Sequence, residues 1–193
     1  LVHCSNLYWI ENQVNLAKLL VEKSGLGKAF FCNSGAEANE AAIKLARKWG
    51  KGEKYHIITM QKSFHGRTLG SLAATAQEKY QKAFRPLPEG FSAVPLGDLE
   101  ALEKEIRPET CAVMLEPIQG ESGINVPAQE YMQGVQDLCR KHGILLILDE
   151  VQTGLGRTGR SFCFQNFGLE PDIVSLAKAI ANHKPEQATE GAA

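Results

Sequence analysis

Two residues stand where chemistry could be done. The run Ile144-Leu145-Leu146-Ile147-Leu148 reads as a buried strand and runs straight into Asp149-Glu150-Val151-Gln152. A second apolar run, Ile173-Val174-Ser175-Leu176, leads to Ala177-Lys178. A carboxylate at the end of one core strand and an amine just past another are what pyridoxal 5'-phosphate (PLP) chemistry needs. The acid keeps the pyridinium nitrogen protonated, and the amine forms a Schiff base with the aldehyde. Taken singly, an acid after a strand is as readily a solvated residue.

Three further segments carry polar groups after apolar runs. Cys32-Asn33-Ser34-Gly35-Ala36 leads into a helix start, where exposed N–H groups and the Ser34 hydroxyl suit a phosphate. The same residues would also make an ordinary capped turn. Phe64-His65-Gly66-Arg67-Thr68 offers an aromatic ring, a glycine and an arginine, the usual bidentate partner of a carboxylate. A surface arginine at a helix start is the plainer alternative. Glu116-Pro117-Ile118-Gln119-Gly120-Glu121 carries two acids, or is simply a Pro-Gly loop. Two nucleotide motifs fail. Gly154 to Gly159 matches G-x-G-x-x-G, but it neither follows its strand at once nor opens a helix. Gly25-Leu26-Gly27-Lys28 lacks the spacing and the Ser/Thr of an ATPase phosphate loop.

The elements that must position these residues alternate along the chain. Helical spacing is expected over Val14 to Lys23, about Ala36 to Trp49, mostly over Leu69 to Phe84, from Asp98 to about Ile106, and over Gln129 to His142. Short apolar strands are expected at Lys28 to Cys32, His56 to Met60, Phe91 to Val94, Ala112 to Leu115, Ile144 to Leu148 and Ile173 to Leu176. Continuous apolar strands alternating with helices give an α/β fold with a mainly parallel sheet and helices on both faces. Ligands on such sheets lie outside the carboxyl ends of the strands. Asn33, Glu116, Asp149 and Lys178 all fall there.

Composition narrows the partners. A net charge of -1 with no long basic run argues against nucleic acid. No apolar stretch reaches about 18 residues, so no membrane span is expected. Five scattered cysteines, with no C-x-x-C pair, read as reduced thiols of a cytoplasmic protein, or of an organelle matrix in a eukaryote, and no metal-ligand spacing is present. The polar stretch from Asn182 lacks periodicity and is expected to fray.

Together the motifs resemble the class III (subgroup II) aminotransferases of PLP fold type I. The stretches that carry the resemblance are Ser5-Asn6-Leu7-Tyr8, FCNSGAEAN (Phe31 to Asn39), Lys44-Leu45-Ala46-Arg47, SFHGRT (Ser63 to Thr68), Thr110-Cys111-Ala112-Val113, EPIQGE (Glu116 to Glu121), Leu138-Cys139, DEVQTGLGRTG (Asp149 to Gly159) and Pro171-Asp172-Ile173. They run in family order from about residue 1 to Ile180, so residues 1–180 are expected to be a PLP-binding large domain and 181–193 a disordered tail.

The resemblance implies roles. Ser34, Gly35 and Ala36 would hold the PLP phosphate. Phe64 would stack on one ring face and Val151 pack on the other. Asp149 would pair with the ring nitrogen, Gln152 bond the ring 3-oxygen, and Lys178 carry the cofactor. Arg67 would grip the substrate α-carboxylate, and Glu121 would help switch the site between its amino-acid and 2-oxo-acid substrates. The implied reaction moves the δ-amino group of N-acetylornithine to 2-oxoglutarate, in arginine biosynthesis. A sibling ω-aminotransferase acting on ornithine, succinylornithine or 4-aminobutyrate is an alternative, and a catalytically inactive truncated piece another. A homodimer is expected for the full-length form. The family's glycine-rich continuation after the lysine, the partner-supplied threonine and the later arginine that pairs with Glu121 have no counterpart here. An incomplete domain is therefore expected.

Overall fold

The computed structural model describes residues 4, 5 and 7–181. Two compact units divide between Phe31 and Cys32. The first holds one helix, α1 (Glu11–Ser24), ended by Gly25 in the left-handed conformation. The strand expected at Lys28 to Cys32 does not form. Those residues are irregular and Phe30 is 75% exposed. Apolar character alone makes no strand without a neighbour to pair with. Asn33 is therefore a loop residue before a helix, not the end of a strand.

The second unit is built on a five-stranded sheet in the order β2-β1-β3-β4-β5. Its strands are β1 (His56–Met60), β2 (Phe91–Val94), β3 (Thr110–Leu115), β4 (Leu145–Asp149) and β5 (Ile173–Ser175), and every pairing is parallel. All six residues of β3 are buried, as are all five of β1. That is the burial of a sheet covered on both faces.

Alternation sorts the strand residues between two helical layers. Ile57, Ala112, Met114 and Ile147 pack with Ala42, Ile43 and Ala46 of α2 (Gly35–Trp49) and with Ala74 of α3 (Leu69–Ala74). Ile58, Val113, Leu146 and Leu148 point the other way, where α5 (Leu99–Glu105) and α6 (Gln129–His142) lie against the sheet and each other. Leu102, Met132, Val135 and Cys139 are buried there. Asp98 caps α5 as expected, its side chain accepting from the Ala101 N–H at 2.9 Å. Gly143 stops α6 at φ 59, after a basic last turn that complements the helix dipole.

The stretch expected to be mostly helical, Leu69 to Phe84, is so, with a break after Ala74. It becomes α3, then α4 (Glu78–Gln81) and a 3-10 turn, Lys82–Phe84. Thr75 is the cause. Its hydroxyl accepts from the His65 N–H at 2.8 Å and bonds back to the Ser71 carbonyl at 2.9 Å, while the Ala76 N–H goes to Ser63 Oγ at 3.3 Å. These bonds tie the chain to the loop after β1 instead of continuing the helix. No helix among the described residues is long and apolar enough to cross a membrane. The tail expected at 181–193 lies outside the described residues beyond Ala181, which closes a 3-10 turn, Lys178–Ala181.

Candidate active site

The parallel sheet sets the site. Glu116 follows β3, Asp149 ends β4 and Lys178 lies just past β5, three adjacent strands of one sheet. Their carboxyl ends therefore share one rim. The loop after β1 brings Phe64, His65 and Arg67 to the same rim.

Asp149 is 3% exposed and heavily bonded. Its Oδ2 accepts from Asn39 Nδ2 at 2.7 Å and meets His65 Nδ1 at 2.7 Å, and its Oδ1 accepts from the Val151 N–H at 3.0 Å. A carboxylate offers about four acceptor positions. Three are taken, and the remaining one is on Oδ1. Asn39 also donates to the His65 carbonyl at 2.7 Å, so α2 clamps both members of the pair. Burial acts to lower the His65 pKa, but the hydrogen bond and charge of Asp149, with the charge of Glu116, outweigh it and raise the pKa. Neither His65 nor Asn39 was assigned a role from the sequence. The only local signal was their place inside SFHGRT and FCNSGAEAN. Their partner lies far along the chain.

Two other acids at this rim are buried. Burial, with the charge of Asp149, pushes Glu116 up to about 7, although the charge of His65 and backbone donors oppose it. Burial likewise pushes Glu150 up to about 7, against donation from the Cys163 and Phe164 N–H groups, both at 2.7 Å. An acid raised in the folded state contributes stability that is fully present below its unfolded pKa and lost as pH rises through the folded one. For Glu150 that window runs from 4.5 to about 7, so folding stability should fall by about 3 kcal/mol across it. Urea unfolding at stepped pH checks this. Glu150→Gln should flatten the slope by about one proton, and an unchanged slope would show that Glu150 does not titrate there.

Lys178 is half-buried and sits at φ 47, a left-handed conformation that a lysine adopts at a cost of about 1–3 kcal/mol. Burial lowers its pKa, with the Arg157 charge in the same direction and Asp149 and Glu116 opposing.

At the start of α2, the Ser34 hydroxyl accepts from the Glu37 N–H at 3.2 Å, and Glu37 returns a bond to the Asn33 N–H at 2.6 Å. This reciprocal cap leaves the Gly35 and Ala36 N–H groups without a bond among the described residues. Gly35 is required here. A Cβ at that position would meet both Val151 methyls at 2.9 Å and Ala177 at 3.2 Å. The helix start, Val151 two residues after Asp149 and Ala177 just before Lys178 thus come close together. Gln152 lies against Gly120, where a Cβ would be 2.7 Å from its Oε1.

Arg67 is exposed, with its guanidinium 5.6 Å over the Tyr80 ring. Its loop is anchored by Glu40 of α2, whose Oε1 accepts from Thr68 Oγ1 at 2.6 Å and from the Gly70 and Ser71 N–H groups at 2.8 and 2.9 Å. Phe64 packs edge-on against the same Tyr80 at 5.6 Å. Glu121 accepts from Gln77 Nε2 at 2.7 Å, from Lys79 Nζ at 3.3 Å and from the Tyr80 hydroxyl. Gly154 to Gly159 forms turns that lead to a 3-10 helix, Cys163–Asn166, and no α-helix opens there. That agrees with rejecting the dinucleotide motif.

A family profile, aminotransferase class-III, matches residues 1–193. The chain belongs to the class-III aminotransferases. It is 54% identical over 189 residues to an acetylornithine aminotransferase of Caldanaerobacter subterraneus subsp. tengcongensis, covering 96% of this chain and 48% of that protein. It is 55% identical over 190 residues to an acetylornithine aminotransferase of Methanocaldococcus jannaschii, again covering 96% and 48%. The chain thus spans about half the length of the curated relatives it matches. Among solved structures, an ornithine aminotransferase of Toxoplasma gondii, with PLP at partial occupancy in its active site, superposes with a TM-score of 0.84 at 33% identity, covering 90% of this chain and 43% of that one. The family and the α/β fold expected from the motifs are therefore established.

Proposed function

We propose that the complete protein is a PLP-dependent aminotransferase that moves the δ-amino group of N-acetylornithine to 2-oxoglutarate, in arginine biosynthesis. The observation that carries this reading is the pair at the sheet rim. Asp149 is buried, held by three donors, with one acceptor position left on Oδ1, and a half-buried Lys178 follows the adjacent strand. Shared names of relatives more than half identical favour this donor.

The residues present fit the cofactor. The open acceptor position of Asp149 suits a protonated ring nitrogen. The unbonded Gly35 and Ala36 N–H groups, with the Ser34 hydroxyl, suit a phosphate at a helix N-terminus. Phe64 and Val151 would flank the ring, and Gln152 would hold its 3-oxygen. When bound, PLP supplies an electron-withdrawing ring that stabilises negative charge at the amino-bearing carbon. Asp149 holds the proton on the ring nitrogen, because a buried carboxylate favours a cation opposite it. Asn39 and His65 hold Asp149. Lys178 Nζ binds the cofactor and moves the substrate's proton, which needs a neutral amine, and burial lowers its pKa in that direction. Arg67 binds the α-carboxylate through its planar fork. Glu121 adjusts the site to its two substrates.

Amino-acid and 2-oxo-acid substrates are the partners of this reading, together with a second copy of the complete protein in a homodimer. The five cysteines, free where they occur, fit a reducing cytoplasmic setting. Residues 1–180 are read as the PLP-binding large domain. The likeness to an ornithine aminotransferase structure favours ornithine as the second candidate donor.

The test is an assay of the complete protein with PLP and 2-oxoglutarate against N-acetylornithine, ornithine, succinylornithine and 4-aminobutyrate. N-acetylornithine should give the highest kcat/KM, and a preference for another donor would replace this reading. In the same assay Arg67→Lys keeps the charge but loses the fork, so KM for both N-acetylornithine and glutamate should rise about tenfold. Unchanged values would assign the carboxylate to another cation.

A further inference from the structure

The aim of an exposed arginine depends on the backbone that carries it. Among the described residues no hydrogen bond or ion pair holds the Arg67 guanidinium, which lies over the Tyr80 ring. The backbone around it is firmly held. Ala36, Asn39 and Glu40 share one face of α2, at the spacing i, i+3, i+4. Each grips a different part of the loop. Gly66 is buried against Ala36, where a Cβ would come within 2.9 Å of the alanine methyl. Asn39 Nδ2 donates to the His65 carbonyl at 2.7 Å. Glu40 takes the other side of Arg67. Its Oε1 accepts from Thr68 Oγ1 at 2.6 Å and from the Gly70 and Ser71 N–H groups at 2.8 and 2.9 Å. Thr68 precedes α3, but its own side chain makes no cap bond. Glu40 supplies from another helix the acceptor that this first turn lacks. Gly70 leaves room for it, since a Cβ there would collide with the Glu40 carboxylate. Arg67 therefore projects from between two clamps that hang from the same helix.

We propose that Glu40 is a positioning residue that sets the preference for donors bearing a carboxylate. It fixes the C-terminal side of the Arg67 loop to α2, as Asn39 and Ala36 fix the other side. The fork then meets the carboxylate already aimed. Bidentate recognition is planar and directional, so a tilt harms it more than it would harm the attraction of a point charge. Without the Glu40 carboxylate, the donors of Thr68, Gly70 and Ser71 turn to water, and the loop pivots on His65 and Gly66. Arg67 keeps its charge but loses its aim. The inference rests on reading Arg67 as the carboxylate-binding residue.

The probes are N-acetylornithine and N-acetylputrescine, the same donor without its carboxylate. Each is mixed with the PLP-loaded complete protein, and a single amino transfer is followed by the loss of the cofactor's visible absorbance, so that slow reactions are still measured. The ratio of the two second-order rate constants is the preference for the carboxylate. Glu40→Ala should cut that ratio about tenfold. A misplaced positioning group costs up to about a hundredfold, and this loop is still held at His65 and Gly66. Glu40→Gln keeps an acceptor oxygen and should hold the parent ratio to within about threefold. In the same protein, amide exchange of the peptide containing Gly70 and Ser71 should be faster in Glu40→Ala than in Glu40→Gln. Should Glu40→Ala not fold, Thr68→Val, which removes one of the three donors, should cut the ratio about threefold. A residue that merely supported the fold would slow both donors alike. An unchanged ratio in the folded variant, an equal loss in Glu40→Gln, or unchanged exchange would each overturn the proposal. Arg67→Ala separates it from the reading beneath it. If Arg67→Ala abolishes the preference and Glu40→Ala does not, only the role of Glu40 falls. If the parent shows no preference, or Arg67→Ala keeps it, the reading of Arg67 falls and takes the proposal with it.

Discussion

Asp149→Asn in the complete protein is expected to leave PLP bound and to slow amino transfer by about a hundred- to several-thousandfold. The amide keeps the size of the carboxylate but not its charge. Removing one member of a buried ion pair costs about 3–5 kcal/mol, because the other charge is left uncompensated. Expressed wholly in the transition state, that energy is a rate factor of the stated size. The variant also removes what raises His65, since the hydrogen bond and charge of Asp149 oppose the effect of burial on that imidazole. His65 should therefore titrate at lower pH, which NMR of the imidazole would record. Near-normal turnover in Asp149→Asn would take Asp149 out of the chemistry.

Lys178 should be the residue that borohydride reduction fixes to the cofactor. Peptide mapping of the PLP-loaded, reduced complete protein would find the added mass on the peptide containing Lys178, and a label on Lys44 or Lys62 would contradict the assignment. Lys178→Ala should accept no label and lose at least about a hundredfold in turnover, the usual scale for a positioned base. The backbone strengthens the case. A lysine at φ 47 persists only where its surroundings hold it, and such residues gather at functional sites.

Much of this was legible in the sequence because the signals are local. Continuous apolar runs marked β1, β2 and β4, and Asp98 announced the start of α5. Asp149 and Lys178 stood out because parallel strands must deliver their ends to one rim. What failed depended on distant partners. Lys28 to Cys32 has the composition of a strand but nothing to pair with. Leu69 to Phe84 is mostly helical as expected, but the break at Thr75, set by its bonds to His65 and Ser71, had no sign in the sequence. The support of Asp149 by Asn39 and His65 could not be read either, since neither has a neighbour in sequence that calls for a carboxylate.

The bond from Asn39 to Asp149 joins residues 110 positions apart along the chain. Closing so long a loop costs entropy that no local helix or turn repays, so contacts of this kind form late in folding. Parallel strands add to the delay, because each neighbour waits for a crossover to be completed. α2 can wind early from its own propensity, but its clamp on the acid has to wait until β4 is in the sheet. Newly made chain would therefore acquire its helices well before it acquires a cofactor site, and vitamin supply during synthesis would act only on molecules whose sheet is already closed.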